Sequence, residues 1–154
     1  MRLLPGVLLT VLLDQLTKLW IQTEFLYGEQ RQVIAGLFNL HYIRNSGAAW
    51  GVLAGWRLLL ILFAVVMLVV LVRRRQELFY GLWLGRPALA LLLGGIVGNL
   101  MDRIRFGYVV DFLDFHWQGH HFPAFNVADS AICIGVGLYL VGSLIGQRGN
   151  RQRC

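Results

Sequence analysis

Long apolar runs, separated by short polar clusters, organise this sequence. Leu58 to Val72 contains no polar residue, and three other runs carry only a few. A membrane-crossing helix needs about 20 mostly apolar residues. The runs predict spans at about 3–21, 56–72, 80–101 and 125–145. The third begins somewhere between Leu78 and Pro87, and Pro87 fits either a first helical turn or a kink. The fold class expected is membrane all-α, a four-span transmembrane helix bundle forming one domain over residues 1–154. One stretch has a different period. Phe38, Leu40 and Tyr42 alternate with Asn39, His41 and Ile43, and Asn45-Ser46-Gly47 reads as a turn. A small β element is therefore expected between the first two spans.

The basic residues then set orientation. Arg73-Arg74-Arg75 lies between spans two and three, and Arg148, Arg151 and Arg153 follow span four. With four spans both clusters share one face, which the positive-inside rule makes cytoplasmic. Both termini are expected there, and the connections Gln22 to Gly55 and Arg103 to Ala124 on the opposite face. Leu3 to Leu13 behind Arg2 resembles a signal-peptide core, but Asp14-Gln15-Leu16-Thr17-Lys18 follows without a small-x-small cleavage site. A retained first span is expected.

Composition agrees with this picture. Of the 154 residues, 57% are hydrophobic and 14% charged, against about 25% charged in soluble domains. The net charge of +6 does not point to nucleic acid, because the cations sit at span ends and not along an aromatic-interleaved stripe. Cys133 lies in an apolar run and reads as a packing residue; it and the terminal Cys154 are too far apart in the predicted topology to pair.

Five polar clusters interrupt the spans or border them, where polar groups are costly. They are Asp14 with Lys18, Asn45 to Trp50, Gly94 to Arg103, Val109 to Phe112, and Phe125 to Asp129. Topology brings all five to the outer boundary, the main indication of a site. Each also has a structural reading. Asp14 and Lys18, four apart, suit a buried ion pair. Gly94 and Gly98 suit close helix packing. Asn99 and Arg103 share a face and suit bonds to backbone or loop groups. Asn126 with Asp129 suits a helix cap with an acid in the first turn. Asp111, between Val109-Val110 and Phe112-Leu113, has the weakest structural reading.

Other chemistries fit less well. His116, His120 and His121 fall in one loop, but no H-E-x-x-H motif is present. Lys18, the only lysine, could form a dyad with Ser46 or Ser130. No G-x-S-x-G elbow occurs. There remain two acids, Asp111 and Asp129, and paired carboxylates with separated pKa values can hydrolyse a peptide bond through activated water. The first turn of span four favours an ionised Asp129, and apolar neighbours favour a protonated Asp111. A small proton-coupled transporter is the alternative, although it would place its acid near the bilayer midplane.

Together these motifs resemble lipoprotein signal peptidase, also called signal peptidase II. They are Asp-Gln-x-Thr-Lys at 14–18, Asn-x-Gly-Ala-Ala at 45–49, Gly-Gly-x-x-Gly-Asn-x-x-Asp-Arg at 94–103, Val-Val-Asp-Phe at 109–112 and Phe-Asn-x-Ala-Asp at 125–129. The resemblance implies a bacterial inner-membrane aspartic peptidase with its site at the periplasmic face, beneath a small β-sheet cradle. It implies catalytic Asp111 and Asp129, supported by Asp14, Lys18, Asn45, Gly47, Asn99, Arg103, Asn126 and Ala128. The implied substrates are prolipoproteins carrying diacylglycerol, cut just before the lipidated cysteine. Membrane lipids and globomycin-type inhibitors are the other implied partners; no metal or other cofactor and a monomeric state are expected. Trp50 stands where many members have Phe, and Asp114 places a second acid close to Asp111.

Overall fold

A computed structural model describes residues 3–79 and 81–151. Along the chain run α1 (Leu3–Glu24), β1 (Gln30–Ile34), β2 (Phe38–Asn45), α2 (Arg57–Arg73), α3 (Arg75–Phe79), α4 (Gly85–Arg105), β3 (Val109–Trp117), β4 (His120–His121) and α5 (Val127–Arg151). A single 3-10 turn, Ala49–Gly51, precedes α2. Arg153 and Cys154 lie outside the described residues.

Among the described residues, three helices have the length and apolar composition to cross a membrane: α1, α4 and the Val127–Ile145 part of α5. The other predicted span, α2, has 17 residues, about 25 Å of helix. Helix bounds differ modestly from those read in the sequence. The first helix runs on to Glu24, the third starts at Gly85, and the fourth starts at Val127 after its cap. Pro87 falls in the first turn of α4, where its missing N–H needs no partner.

In α1 a single stripe, Thr10, Asp14, Lys18 and Ile21, is buried. Leu8, Leu9, Leu12, Leu16 and Leu19 lie bare on the other side. Polar groups inside and leucines outside are the pattern expected of a helix solvated by lipid. The centre of the bundle is α4. A Cβ on Gly94 would come within 2.5 Å of Thr10 Cβ, and one on Gly95 within 2.4 Å of the Ala128 carbonyl oxygen. Gly94 and Gly98 thus let α1 approach α4, as their spacing predicts, and Gly95 lets α5 approach on an adjacent face. By contrast α2 buries only Leu60 and Leu71, leaving a groove between itself, α4 and α5.

The strands form one antiparallel sheet in the order β1-β2-β3-β4. Of these, β2 covers the alternating stretch read in the sequence. In β3, Asp111, Asp114 and His116 interrupt the apolar pattern and hide the strand. The register pairs Ile43 with Asp111 and Asn45 with Val109. Below the sheet, Ile21 of α1 and Phe25, just beyond its end, pack with Tyr42, Val110 and Phe112. That cluster fixes β3 to the end of α1.

Candidate active site

Lys18 is 1% exposed, and its ammonium has three partners. Its Nζ lies 2.9 Å from Asp14 Oδ2 and 2.9 Å from Asp102 Oδ2. It also donates to Asn99 Oδ1 at 2.9 Å. Gln15 completes the cluster, donating from Nε2 to Asp14 Oδ2 at 3.1 Å and to Asp102 Oδ1 at 3.0 Å. Buried charges persist only when paired and hydrogen-bonded in this way.

The two acids of this cluster also accept backbone N–H groups. The amide of Ala128 donates to Asp14 Oδ1 at 2.9 Å, and that of Val110 to Asp102 Oδ2 at 3.2 Å. Ala128 immediately precedes Asp129, and Val110 immediately precedes Asp111. Lys18 bridges the two clamps. One ionic cluster therefore locates both site acids, one on a helix and the other on a strand.

Asn126 joins those two acids directly. Its Nδ2 donates to Asp111 Oδ1 at 2.7 Å and to Asn99 Oδ1 at 3.1 Å. Its Oδ1 accepts the Asp129 amide at 2.9 Å, while its own amide donates to Asp129 Oδ2 at 3.2 Å. This is a reciprocal cap at the start of α5. Asn99 Oδ1 faces two donors, so its Nδ2 is turned to Asp129 Oδ1, which accepts it at 2.7 Å. Asn45 Nδ2 donates to the second Asp111 oxygen at 2.9 Å. Burial, followed by the charge of Asp129, pushes Asp111 up to about 7; the bonds from Asn45 and Asn126 pull the other way.

Asp111 and Asp129 both line a cavity of about 870 Å³. From them it continues between apolar walls past Phe63, Met67, Ile132 and Val136 to Phe79 and Tyr139. Asp129 to Tyr139 along α5 is about 15 Å of helix. A carboxylate pair at the head of a long apolar groove suits an amphiphile with a polar bond to be broken.

The remaining residues singled out in the sequence take definite places. Arg103 Nη2 donates to the Gly47 carbonyl at 3.1 Å, and the Gly47 amide donates to Asn45 Oδ1 at 2.9 Å. A Cβ on Gly47 would meet the Val52 carbonyl oxygen at 2.7 Å, so the loop closes only on glycine. Trp50 packs edge-on to Phe122, and its backbone φ of 55° is left-handed. Ser130 Oγ donates to the Asn126 carbonyl, and among the described residues no serine is a partner of Lys18. Asp114 bonds His121 at 2.8 Å and Asn39 at 3.1 Å, and His116 stacks on His121. Among the described residues, no group of three or more His, Cys, Asp or Glu side chains is arranged to hold a metal ion. Cys133 requires a correction: it is exposed and lines the cavity, because α2 stands off from α5 there and no core covers it.

Asp102 and Gln15 are the residues the sequence reading left out of the site. Both stand in the quoted motifs. The only local signal for Asp102 was its place on α4, three residues from Asn99, and its partner Lys18 is remote in sequence.

A pair of carboxylates held among membrane-length helices, under a small sheet, defines a helical membrane enzyme. The solved structures agree. Two described as bacterial membrane enzymes are each 36% identical to this chain, with TM-scores of 0.85 and 0.81. They cover 94% and 92% of this chain, and this chain covers 88% and 92% of theirs. In sequence, the lipoprotein signal peptidase of Shewanella loihica is 45% identical over 92% of this chain and 85% of its own length. That of Syntrophotalea carbinolica is 48% identical over 86% of this chain and 84% of its own. A profile of signal peptidase (SPase) II matches residues 6–145. The chain belongs to the signal peptidase II family, and it is an aspartic peptidase.

Proposed function

We propose that this chain removes the signal peptide from diacylglyceryl-modified prolipoproteins, cutting just before the lipidated cysteine, with Asp111 and Asp129 as the catalytic pair. One observation carries the reading. The two carboxylates share Asn126 as a hydrogen-bond partner and both line the head of the apolar cavity. The groove beyond them suits a signal peptide's apolar stretch, and a scissile bond beside a lipidated cysteine lies at the depth of the acids.

In this mechanism Asp111 carries the shared proton, in keeping with its raised pKa, and hydrogen-bonds the scissile carbonyl. Asp129, facing the N–H of Asn99 at the start of α5, is ionised and takes a proton from water. The resulting hydroxide adds to the carbonyl carbon. Asp129 then returns its proton to the departing amine as the C–N bond breaks. The pair titrates as a unit, so each proton belongs to both acids. Asn45, Asn99 and Asn126 orient the carboxyls; Asp14, Lys18 and the Ala128 amide set their positions; Arg103 and Gly47 hold the loop beside them.

The same reading makes residues 1–154 one domain, with α2 as a fourth span. Both termini are cytoplasmic and the acids face the periplasm of a bacterial inner membrane. The arginines at 73–75 and the position of the acids at the opposite end of the helices support that orientation. The enzyme acts as a monomer, and globomycin-type inhibitors compete for the cavity. Purified protein in detergent is expected to cleave a diacylated lipobox peptide and to leave its unlipidated counterpart intact. Absence of cleavage by folded protein, or full cleavage by Asp111→Asn and Asp129→Asn variants, would overturn the proposal.

A further inference from the structure

The groove that starts at Asp111 and Asp129 ends at Phe79 and Tyr139, whose rings pack with centroids 5.1 Å apart. Phe79, at the end of α3, is 5% exposed and belongs to a core cluster with Leu71, Leu89 and Leu92. On its other side lies a second cavity, of about 810 Å³, whose wall includes Leu3, Trp83 and Leu89. Among the described residues, Phe79 is the one that lines both cavities. It is therefore a partition between two spaces and not only part of one wall.

The backbone around this partition is fixed. The turn after α3 passes through Gly81 at φ 82°, a left-handed conformation suited to glycine. The Leu82 amide donates back to the Phe79 carbonyl at 3.4 Å. A Cβ on Gly85 would collide with that same carbonyl, so α4 starts directly against Phe79. The ring itself meets Tyr139 of α5. Held from α3, α4 and α5, Phe79 does not swing aside as an exposed side chain would.

We propose that Phe79, with Tyr139, is a stop that sets the length of signal-peptide helix the groove accepts, an assignment that rests on the substrate proposed above. From Asp129 to Tyr139 the groove runs about 15 Å, room for about ten residues of substrate helix. The apolar stretch of a signal peptide has about 7–15 residues, so the stop falls inside the natural range. Stretches of up to about ten residues lie along Phe63, Met67, Ile132 and Val136 over their whole length. A longer one meets the aromatic pair and leaves the groove sideways into lipid. Lipid solvates apolar side chains as well as the groove does, so the loss is in close packing and in alignment of the scissile bond.

Cleavage of diacylated lipopeptides that share one lipobox and carry apolar stretches of about 7–15 residues tests this, with kcat/KM measured at each length. The readout is the ratio of long to short substrates within each enzyme, which does not depend on the amount of folded protein. In the native chain kcat/KM should fall about 10-fold beyond about ten residues, the low end of what a misfit in an apolar pocket produces. Phe79→Ala joins the two cavities and should bring the ratio close to one. Val136→Phe narrows the groove three residues nearer the acids and should move the fall to about seven residues. Val136 is 44% exposed, so that variant leaves the core intact and decides the matter should Phe79→Ala not fold. Trp83→Ala, which lines the second cavity alone, should keep the native profile. A flat profile in the native chain, native profiles in Phe79→Ala and Val136→Phe, or a Trp83→Ala profile as flat as that of Phe79→Ala would overturn the stop. Rates flat in peptide length but steep in acyl-chain length would assign the groove to the lipid and also overturn it. No cleavage at any length would instead sink the substrate reading, and the stop with it.

Discussion

Lys18→Met removes the cation that two buried carboxylates share and keeps most of the side-chain volume. Asp14 is 0% exposed and Asp102 1%, so neither gains water in exchange. Each keeps donors, from Gln15 and from the Ala128 or Val110 amide, but hydrogen bonds between neutral groups and carboxylates do not cancel a buried charge. Removing one partner of such a cluster typically costs about 3–5 kcal/mol, out of a total of roughly 5–15 kcal/mol for a folded domain. At about 2–4 °C per kcal/mol, the thermal unfolding midpoint in detergent should fall by roughly 6–20 °C. Asp102→Asn in the same chain removes one stranded charge while retaining an oxygen for the Val110 amide. The double variant should therefore be more stable than Lys18→Met alone, with a coupling above about 1 kcal/mol. A Lys18→Met midpoint within about 2 °C of the native chain, or strictly additive losses in the double variant, would refute the ionic cluster as the element that holds the acids.

Asp111→Asn should abolish turnover at a modest stability cost. Both donors to Asp111, from Asn45 and Asn126, are fixed by their other bonds, so the new amide opposes one of them, at about 1–3 kcal/mol. Asp114→Asn should retain most activity, because Asp114 bonds His121 and Asn39 on the other face of β3; a lipopeptide cleavage assay that ranks the two variants the other way would reverse the assignment. The pH dependence follows from Asp111, pushed up to about 7. Its protonated fraction falls as pH rises through that value, so kcat/KM should decline on an alkaline limb centred near 7, and a profile flat to pH 9 would count against Asp111 as the proton carrier. The same shift makes the folded state bind more protons than the unfolded chain between about 4 and 7, so substrate-free stability should fall across that window as pH rises.

Much of this arrangement was legible in the sequence for a physical reason. Lipid punishes unpaired polar groups, so Asp14, Lys18, Asn99 and Asn126 could stand where they do only with partners. Local rules also worked where the partner is local: the Asn126–Asp129 cap and the Asp14–Lys18 pair span one helical turn each. They failed where partners are remote. Lys18 meets Asp102 across most of the chain, and no periodicity encodes that contact. The strand carrying Asp111 was missed because its alternation is broken by the residues that make it useful, Asp111 and Asp114. Cys133 was misread because an apolar helix gives no sign of which face a neighbouring helix leaves open.

The backbone clamps on Ala128 and Val110 have a consequence for synthesis. The chain is made from its N-terminus, so Asp14 and Lys18 enter the membrane long before the residues they will hold. Asp102 and Val110 come later, and Ala128 and Asp129 near the end. Until the last helix inserts, Asp14 lacks the Ala128 amide, and Asp111 has neither Asn126 nor a second acid beside it. With Asp111 and Asp129 as the proposed catalytic pair, a truncated or half-inserted chain thus lacks the pair with which to cut its neighbours. A peptidase that spends its life among other membrane proteins needs no removable inhibitor if its own completion is the event that arms it.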